Sequence, residues 1–592
     1  MTAPNPASQR AYELFEAAVR LGVRHVVLSP GSRSQALALE AARREAAGGI
    51  RLHVRSDERT AGFLALGIGL ATEMPALLIT TSGSAVANLL PAVLEAHHAG
   101  VPMLLLTADR PAALRGRRAN QTTRQDLMLA PFVRELSDVP VPDGSSAAPD
   151  LERAILMALG QHTDSTAGPG PVQLNLQFAE PLSGAFDPEA AAPAPSSSAG
   201  DSARNRPRGR LAKASNTAVA SATEAVHPVK IGPRTLVVAG ARAGEAAEAF
   251  ARESLAPLLA EVVSGARFGP QLVAAYRQLL GLREYANSFE RVVVFGTPTL
   301  SREIPAVLAE SGVEVIVVDS PGADAYHPLG VEVTRVAAVR SLGEPSPELV
   351  AWGDIWLRAS RKLIAEASQE RELAVDLRSG VAAGGHVEDF AAQRDFVANE
   401  LAAVRAPVTR ERIVDAVWRA SWPHDRLLFG ASRLVRVADA LVPGKKLGVF
   451  ANRGQSGIDG TIATGLGLAS ASEGGTTRVL LGDLAALHDA GSLRLTPGEP
   501  RPSIQVIVGN DQGGTIFDDL EVAATADPAA FERVMRTPHR VDFAALAAAY
   551  GWAHVRADTV GALDQALTSP GGPTLIEVSL VEAEHSSSDA EA

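Results

Sequence analysis

Short apolar runs, each closed by a polar turn, recur along the chain and define its architecture. His25-Val26-Val27-Leu28 ends in Ser29-Pro30-Gly31-Ser32, a turn that opens a helix over residues 35–44. Residues 76–80 and 103–107 repeat the pattern, each run followed by turn or cap residues. A second group comprises 235–240, 291–296 and 313–319, and a third, starting near Pro407, comprises 427–429, 479–481 and 504–508. Apolar runs without polar alternation, separated by helical stretches, predict parallel sheets covered on both faces. The expected fold class is α/β, with three doubly wound parallel-sheet domains. Ligands then belong at the carboxyl ends of the strands, where the polar turns sit.

Composition refines the boundaries. The first domain is expected over 1–187. Residues 188–230, dense in Ala, Ser, Pro, Asn and Arg, read as a low-complexity linker. The second domain spans 231–345, and a helical, polar connector with a glycine-rich break at 380–385 covers 346–405. The third domain runs over 406–581, and the acidic, Ser-rich tail 582–592 is expected to be disordered.

The 592 residues allow roughly three or four domains. A net charge of −12 argues against nucleic-acid partners. The absence of cysteine excludes disulfides and thiolate metal ligands and suits a reducing compartment. No apolar stretch reaches the roughly 18 residues of a membrane span, and the polar N-terminus lacks a signal pattern, so the cytoplasm is the expected location. Of 55 basic residues only five are lysine, so a lone arginine carries little information here.

The most informative chemistry lies in the third domain. Gly482-Asp483-Leu484 directly follows one apolar strand, and Asn510-Asp511-Gln512-Gly513-Gly514 directly follows the next. The two aspartates are 28 residues apart, the length of one helix plus one strand, which places both turns side by side at one sheet edge. Taken singly, each is an ordinary helix-capping turn. Together, two hard oxygen ligands and a glycine carbonyl suit octahedral Mg²⁺ with room for water and a diphosphate, while the glycines admit the phosphates close to the backbone.

This pair resembles the diphosphate–metal motif of thiamine-diphosphate (ThDP) enzymes: Gly-Asp-Gly, a helix and a strand, then Asn-Asn. Leu484 replaces the second glycine and Asp511 the second asparagine. The resemblance implies a fold of pyrimidine-binding, central and diphosphate-binding domains. Asp483, Asp511 and the Gly513 carbonyl would ligate Mg²⁺ (Mn²⁺ being an alternative ion), with Asn510 adjacent. It also implies that Glu58, in His53-Val54-Arg55-Ser56-Asp57-Glu58-Arg59-Thr60, is the carboxylate that hydrogen-bonds the aminopyrimidine. From its position alone, Glu58 would be a first-turn acidic residue stabilising a helix N-terminus.

Longer motifs narrow the resemblance. They are Ser29-Pro30-Gly31-Ser32-Arg33-Ser34, Thr107-Ala108-Asp109-Arg110-Pro111, Asn120-Gln121-Thr122-Thr123-Arg124-Gln125, Asn452-Arg453-Gly454-Gln455-Ser456-Gly457-Ile458-Asp459-Gly460 and Gly513-Gly514-Thr515-Ile516-Phe517. Together they resemble the 2-succinyl-5-enolpyruvyl-6-hydroxy-3-cyclohexene-1-carboxylate synthases of menaquinone biosynthesis, densely in the outer domains and thinly in the middle one. The implied reaction decarboxylates 2-oxoglutarate and adds the succinyl carbanion in 1,4 fashion to isochorismate. Two dicarboxylate substrates call for several cations, preferably planar bidentate ones. Arg33, Arg110, Arg302, Arg436 and Arg453 are the candidates, Arg302 resting on the thinnest match. Matching positions also nominate Ser32, Gln121 and Ser432 as polar contacts, and Ile516, Phe517 and Leu520 as apolar walls. Ser432, Gly482, Leu484, Asn510, Gly513, Gly514, Ile516 and Phe517 would touch the cofactor together with Glu58 and Asp483. The family pattern further implies a homodimer or homotetramer with each site shared between subunits.

A different ThDP enzyme, of acetolactate synthase or 2-oxo acid decarboxylase type, is the alternative. Its substrates would not require so many carboxylate-binding arginines. A non-catalytic nucleotide-binding module lacks support, because neither G-x-x-x-x-G-K-[ST] nor a G-x-G-x-x-G after a strand is present.

Overall fold

The computed structural model describes residues 5–142, 149–165, 167–185, 226–320, 322, 324–376, 390–568 and 571–581. Most of the expected linker, the glycine-rich break at 380–385 and the acidic tail lie outside these residues. Every paired strand in the three main sheets is parallel.

The first sheet is built from β1 (His25–Leu28), β2 (Arg51–Val54), β3 (Leu77–Thr80), β4 (Met103–Asp109), β5 (Glu135–Val139) and β6 (Pro171–Gln177), in the order β2-β1-β3-β4-β6-β5. Strands β3, β4 and β6 are buried along their whole length, as expected for a sheet with helices on both faces. In chain order β7 (His227–Lys230), β8 (Thr235–Ala239), β9 (Leu258–Ala260), β10 (Arg291–Phe295), β11 (Glu314–Val318), β12 (Val333–Val336) and β13 (Val339–Leu342) follow. They form a five-stranded sheet, β12-β11-β10-β8-β9, and a two-stranded pair, β13-β7. Residues 227–230, at the end of the stretch read as linker, thus form a strand. Their mixed composition, His-Pro-Val-Lys, buries only Val229, so no apolar run announced it.

Within the stretch read as a polar connector, the helix Pro347–Asp376 inserts Trp356 into the core of the central sheet, where that side chain is 1% exposed. The third sheet comprises β14 (Arg426–Phe429), β15 (Gly448–Ala451), β16 (Thr477–Gly482), β17 (Ile504–Asn510), β18 (Ala553–Ala557) and β19 (Thr574–Ser579). Its order, β15-β14-β16-β17-β19-β18, repeats that of the first sheet strand for strand.

The two outer domains share one core. Helix Glu58–Thr72, which follows β2, packs against helix Thr461–Ser470, which follows β15 at the equivalent place in the repeat. Phe63, Leu64, Leu66 and Ile68 are all buried at 2% exposure or less, and each such side chain contributes on the order of 1.5–3 kcal/mol. Two glycines permit the contact. A Cβ on Gly67 would lie 2.1 Å from the Thr464 carbonyl oxygen, and one on Gly467 would lie 2.2 Å from that of Leu64. Each helix therefore places its glycine against the other's backbone.

Buried Asp489 holds the start of the second helix, accepting the Ile462 and Ala463 N–H groups at 2.7 and 3.1 Å. Burial pushes its carboxyl up to about 6, above the ordinary 3.8. The folded chain therefore binds the proton more tightly than the unfolded one, and the stability tied to it falls as pH rises from about 4 through about 6. Asp489→Asn keeps an acceptor without the charge, so its thermal midpoint relative to the parent is expected to rise across that range. A midpoint difference that is flat with pH would refute the assignment.

Among the described residues no helix is long and apolar enough to cross a membrane.

Candidate active site

The two acidic turns of the third sheet meet. Gly482 pairs with Gly509 in the β16–β17 register, so Asp483 leaves the sheet beside Asn510. Asp483 is 2% exposed. Its Oδ1 accepts the Leu484 N–H at 2.6 Å, and its Oδ2 accepts the Gly513 N–H of the other turn at 2.9 Å. His539 Nε2 lies 3.0 Å from the same Oδ2. Burial, and next the charge of Asp511, raise the Asp483 carboxyl above its ordinary value, and His539 partly offsets this. A buried carboxylate whose ionisation is disfavoured by burial and by a neighbouring acid is suited to a cation.

Asp511 accepts hydrogen bonds from Arg410 Nη2 at 2.8 Å and Thr515 Oγ1 at 2.6 Å. Arg410 is 7% exposed, so the charge that Asp511 adds relative to an asparagine is balanced locally. Both ends of the Asn510 side chain are engaged: Nδ2 donates to Glu577 at 2.9 Å and Oδ1 accepts the Gln512 N–H at 3.1 Å.

The surroundings fit a diphosphate. The Ser432 hydroxyl, at the start of helix Arg433–Leu441, is buried without a hydrogen-bond partner among the described residues. A Cβ placed on Gly482 would meet nothing nearer than the Ser432 Cβ, at 3.8 Å, so this turn is open toward that hydroxyl. Gly513 and Gly514 lie the other way, packed so that added Cβ atoms would come within 2.7 Å of the Arg536 and 2.9 Å of the Met535 carbonyl oxygens. Ile516, Phe517 and Leu520 follow and stay half-buried, leaving apolar surface beside the turns. Hard oxygen donors, an orphaned hydroxyl and close-packed glycines suit a metal-bound diphosphate.

Ser32, Arg33, Arg110 and Gln121 lie at the carboxyl edge of the first sheet. Buried Arg110 donates from Nη1 to Ser82 Oγ at 2.7 Å and to the Gln121 carbonyl at 2.8 Å. Gln121 Nε2 returns to the Ser82 carbonyl at 2.8 Å. Arg33 Nη1 donates to the Phe178 carbonyl at 3.1 Å, while its Nε is buried without a partner. Burial and then the charge of Arg110 pull the Arg33 guanidinium below its ordinary value. Two close cations, one incompletely bonded, make a receptor for carboxylate. Ser32 beside them is exposed.

Arg302, Arg436 and Arg453 form a second cationic group, between the central and third domains. Arg436 lies one turn along the helix that begins at Ser432. Burial pulls it below its ordinary value, followed by the charges of Arg302 and Arg277. Arg453 is likewise lowered by burial, with Arg436 among the contributing charges and Glu261 and Glu95 opposing. Its guanidinium donates to Thr299 Oγ1 at 2.9 Å and to the Thr299 carbonyl at 2.8 Å. Arg302, the residue with the thinnest sequence support, therefore stands with the other two.

Glu58 begins helix Glu58–Thr72, capped by Asp57, and its Oε2 accepts from Asn88 Nδ2 at 3.2 Å. Among the described residues no hydrogen bond or ion pair joins it to Asp483 or Asp511. Its neighbours reach the third domain elsewhere, Arg59 Nη2 donating to the His488 carbonyl at 2.8 Å and Thr60 Oγ1 lying 3.1 Å from Ser492 Oγ. The fold thus brings the expected residues together in two sets, Glu58 with the first-sheet edge and the metal turns with the three-arginine group.

Four supporting residues escaped the sequence reading: Arg410, His539, Glu95 and Glu261. Arg410 and His539 lie far along the chain from the carboxylates they meet, and arginine is too common here to stand out. Glu95 had a signal, a lone acidic residue in the apolar helix Leu90–Ala99. Buried at 3%, it accepts the Gly454 and Gln455 N–H groups at 2.7 Å each.

Residues 11–128 match the family model of the thiamine pyrophosphate enzyme N-terminal TPP-binding domain. The chain is 51% identical to the 2-succinyl-5-enolpyruvyl-6-hydroxy-3-cyclohexene-1-carboxylate synthase of Leifsonia xyli subsp. xyli, over 97% of both chains. It is 52% identical to the protein of that name from Clavibacter michiganensis subsp. michiganensis, over 98% of this chain and 97% of the relative. With the one from Kineococcus radiotolerans it shares 43% identity over 97% of this chain and 96% of the relative. At such identity along nearly the whole length, the chain belongs to the 2-succinyl-5-enolpyruvyl-6-hydroxy-3-cyclohexene-1-carboxylate synthase family of ThDP-dependent enzymes.

Proposed function

We propose that the protein catalyses the ThDP- and Mg²⁺-dependent decarboxylation of 2-oxoglutarate and the 1,4-addition of the succinyl unit to isochorismate, a step of cytoplasmic menaquinone biosynthesis. The observation that carries the substrate class is the gathering of Arg302, Arg436 and Arg453, of which Arg436 lies one helical turn from Ser432. Guanidinium groups held so close repel one another unless an anion joins them, and a planar carboxylate satisfies two N–H donors at once.

Asp483, Asp511 and the Gly513 carbonyl would hold the metal, and Ser432 would donate to the diphosphate. When bound, ThDP supplies the carbanion chemistry that releases CO₂ from a 2-oxo acid and passes the remaining fragment to an acceptor. Glu58 would hydrogen-bond the aminopyrimidine of the cofactor. The arginines orient the substrate carboxylates, and Ile516, Phe517 and Leu520 exclude water from the reacting carbons. Among the described residues Glu58 is hydrogen-bonded to Asn88 of its own domain and not to the metal turns of its own chain, which supports a site shared between two copies in a homodimer or homotetramer.

NMR analysis of the products formed from 2-oxoglutarate and isochorismate with ThDP and Mg²⁺ tests the reading. Turnover of pyruvate alone, with isochorismate left unconsumed, would replace it with the acetolactate synthase or decarboxylase alternative. Arg33→Ala and Arg453→Ala are each expected to raise KM for an acidic substrate about 10- to 100-fold, as for loss of a charge-assisted pair. ThDP affinity, measured by titration, should stay within about threefold of the parent, the shift expected of a side chain that does not bond the cofactor. An equal loss of ThDP binding would make these arginines diphosphate contacts instead.

A further inference from the structure

The segment following β9 is buried where the central and third domains meet, and it carries an acidic residue that no step above uses. Glu261 is fully buried. Its Oε1 accepts the backbone N–H groups of Thr299, Leu300 and Ser301 at 2.9, 2.7 and 3.1 Å, and its Oε2 accepts Thr299 again at 3.1 Å. Three consecutive N–H groups converging on one carboxylate fix the path of the loop that ends at Arg302. The same loop presents the Thr299 hydroxyl and carbonyl to the Arg453 guanidinium. The next residue, Val262, donates its N–H to Asp439 at 2.7 Å. Asp439 is fully buried in the helix that carries Arg436 and also accepts from Tyr276 Oη at 2.6 Å. Residues 261 and 262 therefore touch the supports of all three arginines.

We infer that Glu261 is a positioning residue for substrate binding: through the Thr299–Ser301 backbone it sets the guanidinium of Arg453 and the start of the Arg302 helix in the geometry that receives a carboxylate. This rests on the reading of Arg453 as a substrate contact. An isolated carboxylate without solvent is costly, and it persists only with several donors and nearby opposite charge. Both are present, because Arg453 is held through Thr299 and the Glu261 charge opposes the burial of that guanidinium. Burial, reinforced by Asp439, pushes the Glu261 carboxyl up to about 7, which marks how far this group is removed from water. Arg267 faces Asp439 from below at 3.8 Å and spends its remaining N–H groups on carbonyls, so it leaves no donor for Glu261.

The test is a double-mutant cycle on the full-length enzyme with ThDP and Mg²⁺, reading KM and kcat separately for 2-oxoglutarate and isochorismate. Glu261→Ala is expected to raise KM for the substrate that Arg453→Ala affects by about tenfold, with kcat within about threefold, the loss expected when one charge-assisted contact is misaligned. Glu261→Gln keeps the carbonyl acceptor where Oε1 stands and should recover most of that loss. In the Arg453→Ala background Glu261→Ala should raise KM by less than it does in the parent, because one of the two arginines it positions is gone. If Glu261→Ala does not fold, Glu261→Asp, which withdraws the carboxylate by one methylene, takes its place with an intermediate KM. Equal and additive losses in both backgrounds, or a fall in kcat and thermal stability with KM unchanged, would make Glu261 a structural residue and overturn the inference. If Arg453→Ala itself leaves both KM values unchanged, the assignment of Arg453 fails instead, and the two failures are distinct.

Discussion

Replacing Glu58 with glutamine is expected to leave a folded protein that binds ThDP yet turns over about 10²–10⁴-fold more slowly, the loss typical of removing a positioned acid–base group. The geometry supports the separation of binding from rate. Glu58 sits at the first turn of a helix whose cap is provided by Asp57, and its own hydrogen bond, to Asn88, is one that a glutamine oxygen can also accept. The substitution therefore removes a charge without removing a structural contact. Measuring kcat beside ThDP affinity and the circular dichroism spectrum checks the expectation. Near-normal turnover would take Glu58 out of the mechanism and return it to the role of a helix-terminal acid.

Gly67→Val should be the most damaging single change in the fold. A Cβ at this position meets the Thr464 carbonyl oxygen at 2.1 Å and its carbonyl carbon at 2.9 Å. Both are helical backbone, so no side chain can rotate aside, and the two helices must separate. Overpacking at yielding sites costs about 1–3 kcal/mol, whereas here the shared core of two domains must open, which places the cost at about 4 kcal/mol or above. The expected result is loss of soluble, cofactor-binding protein. The paired change at Gly467 should behave alike, because its Cβ would strike the Leu64 carbonyl from the other side. Folded Gly67→Val with an unchanged melting profile would mean that the helix contact is looser than described.

What the chain disclosed in advance follows from the range of each interaction. Buried parallel strands carry apolar runs such as 292–295 and 506–508, so strand and turn were legible together with the polar residues that close them. The Asp483 and Asp511 turns met as expected because strand adjacency and parallel register alone bring them there. Short strands with mixed composition were silent: β7, His-Pro-Val-Lys, is held by pairing with β13 rather than by its own pattern. The supports of the site were hidden for a related reason. Arg410 is 101 residues from Asp511, and Glu95 is 359 from Gly454, separations over which no local periodicity carries information. Arg302 shows the converse, since the loop that places it is set by a carboxylate from another strand end.

Because the first and third sheets follow one winding order, the loops after β3 and β4 are the counterparts of those after β16 and β17. One copy of the frame displays Ser82 and Arg110 at these points, the other Asp483 and Asp511. Equivalent points of one frame thus carry a guanidinium in the first sheet and carboxylates in the third. One winding order serves two chemistries, because the side chain that closes each strand, rather than the frame, sets the sign of charge presented there.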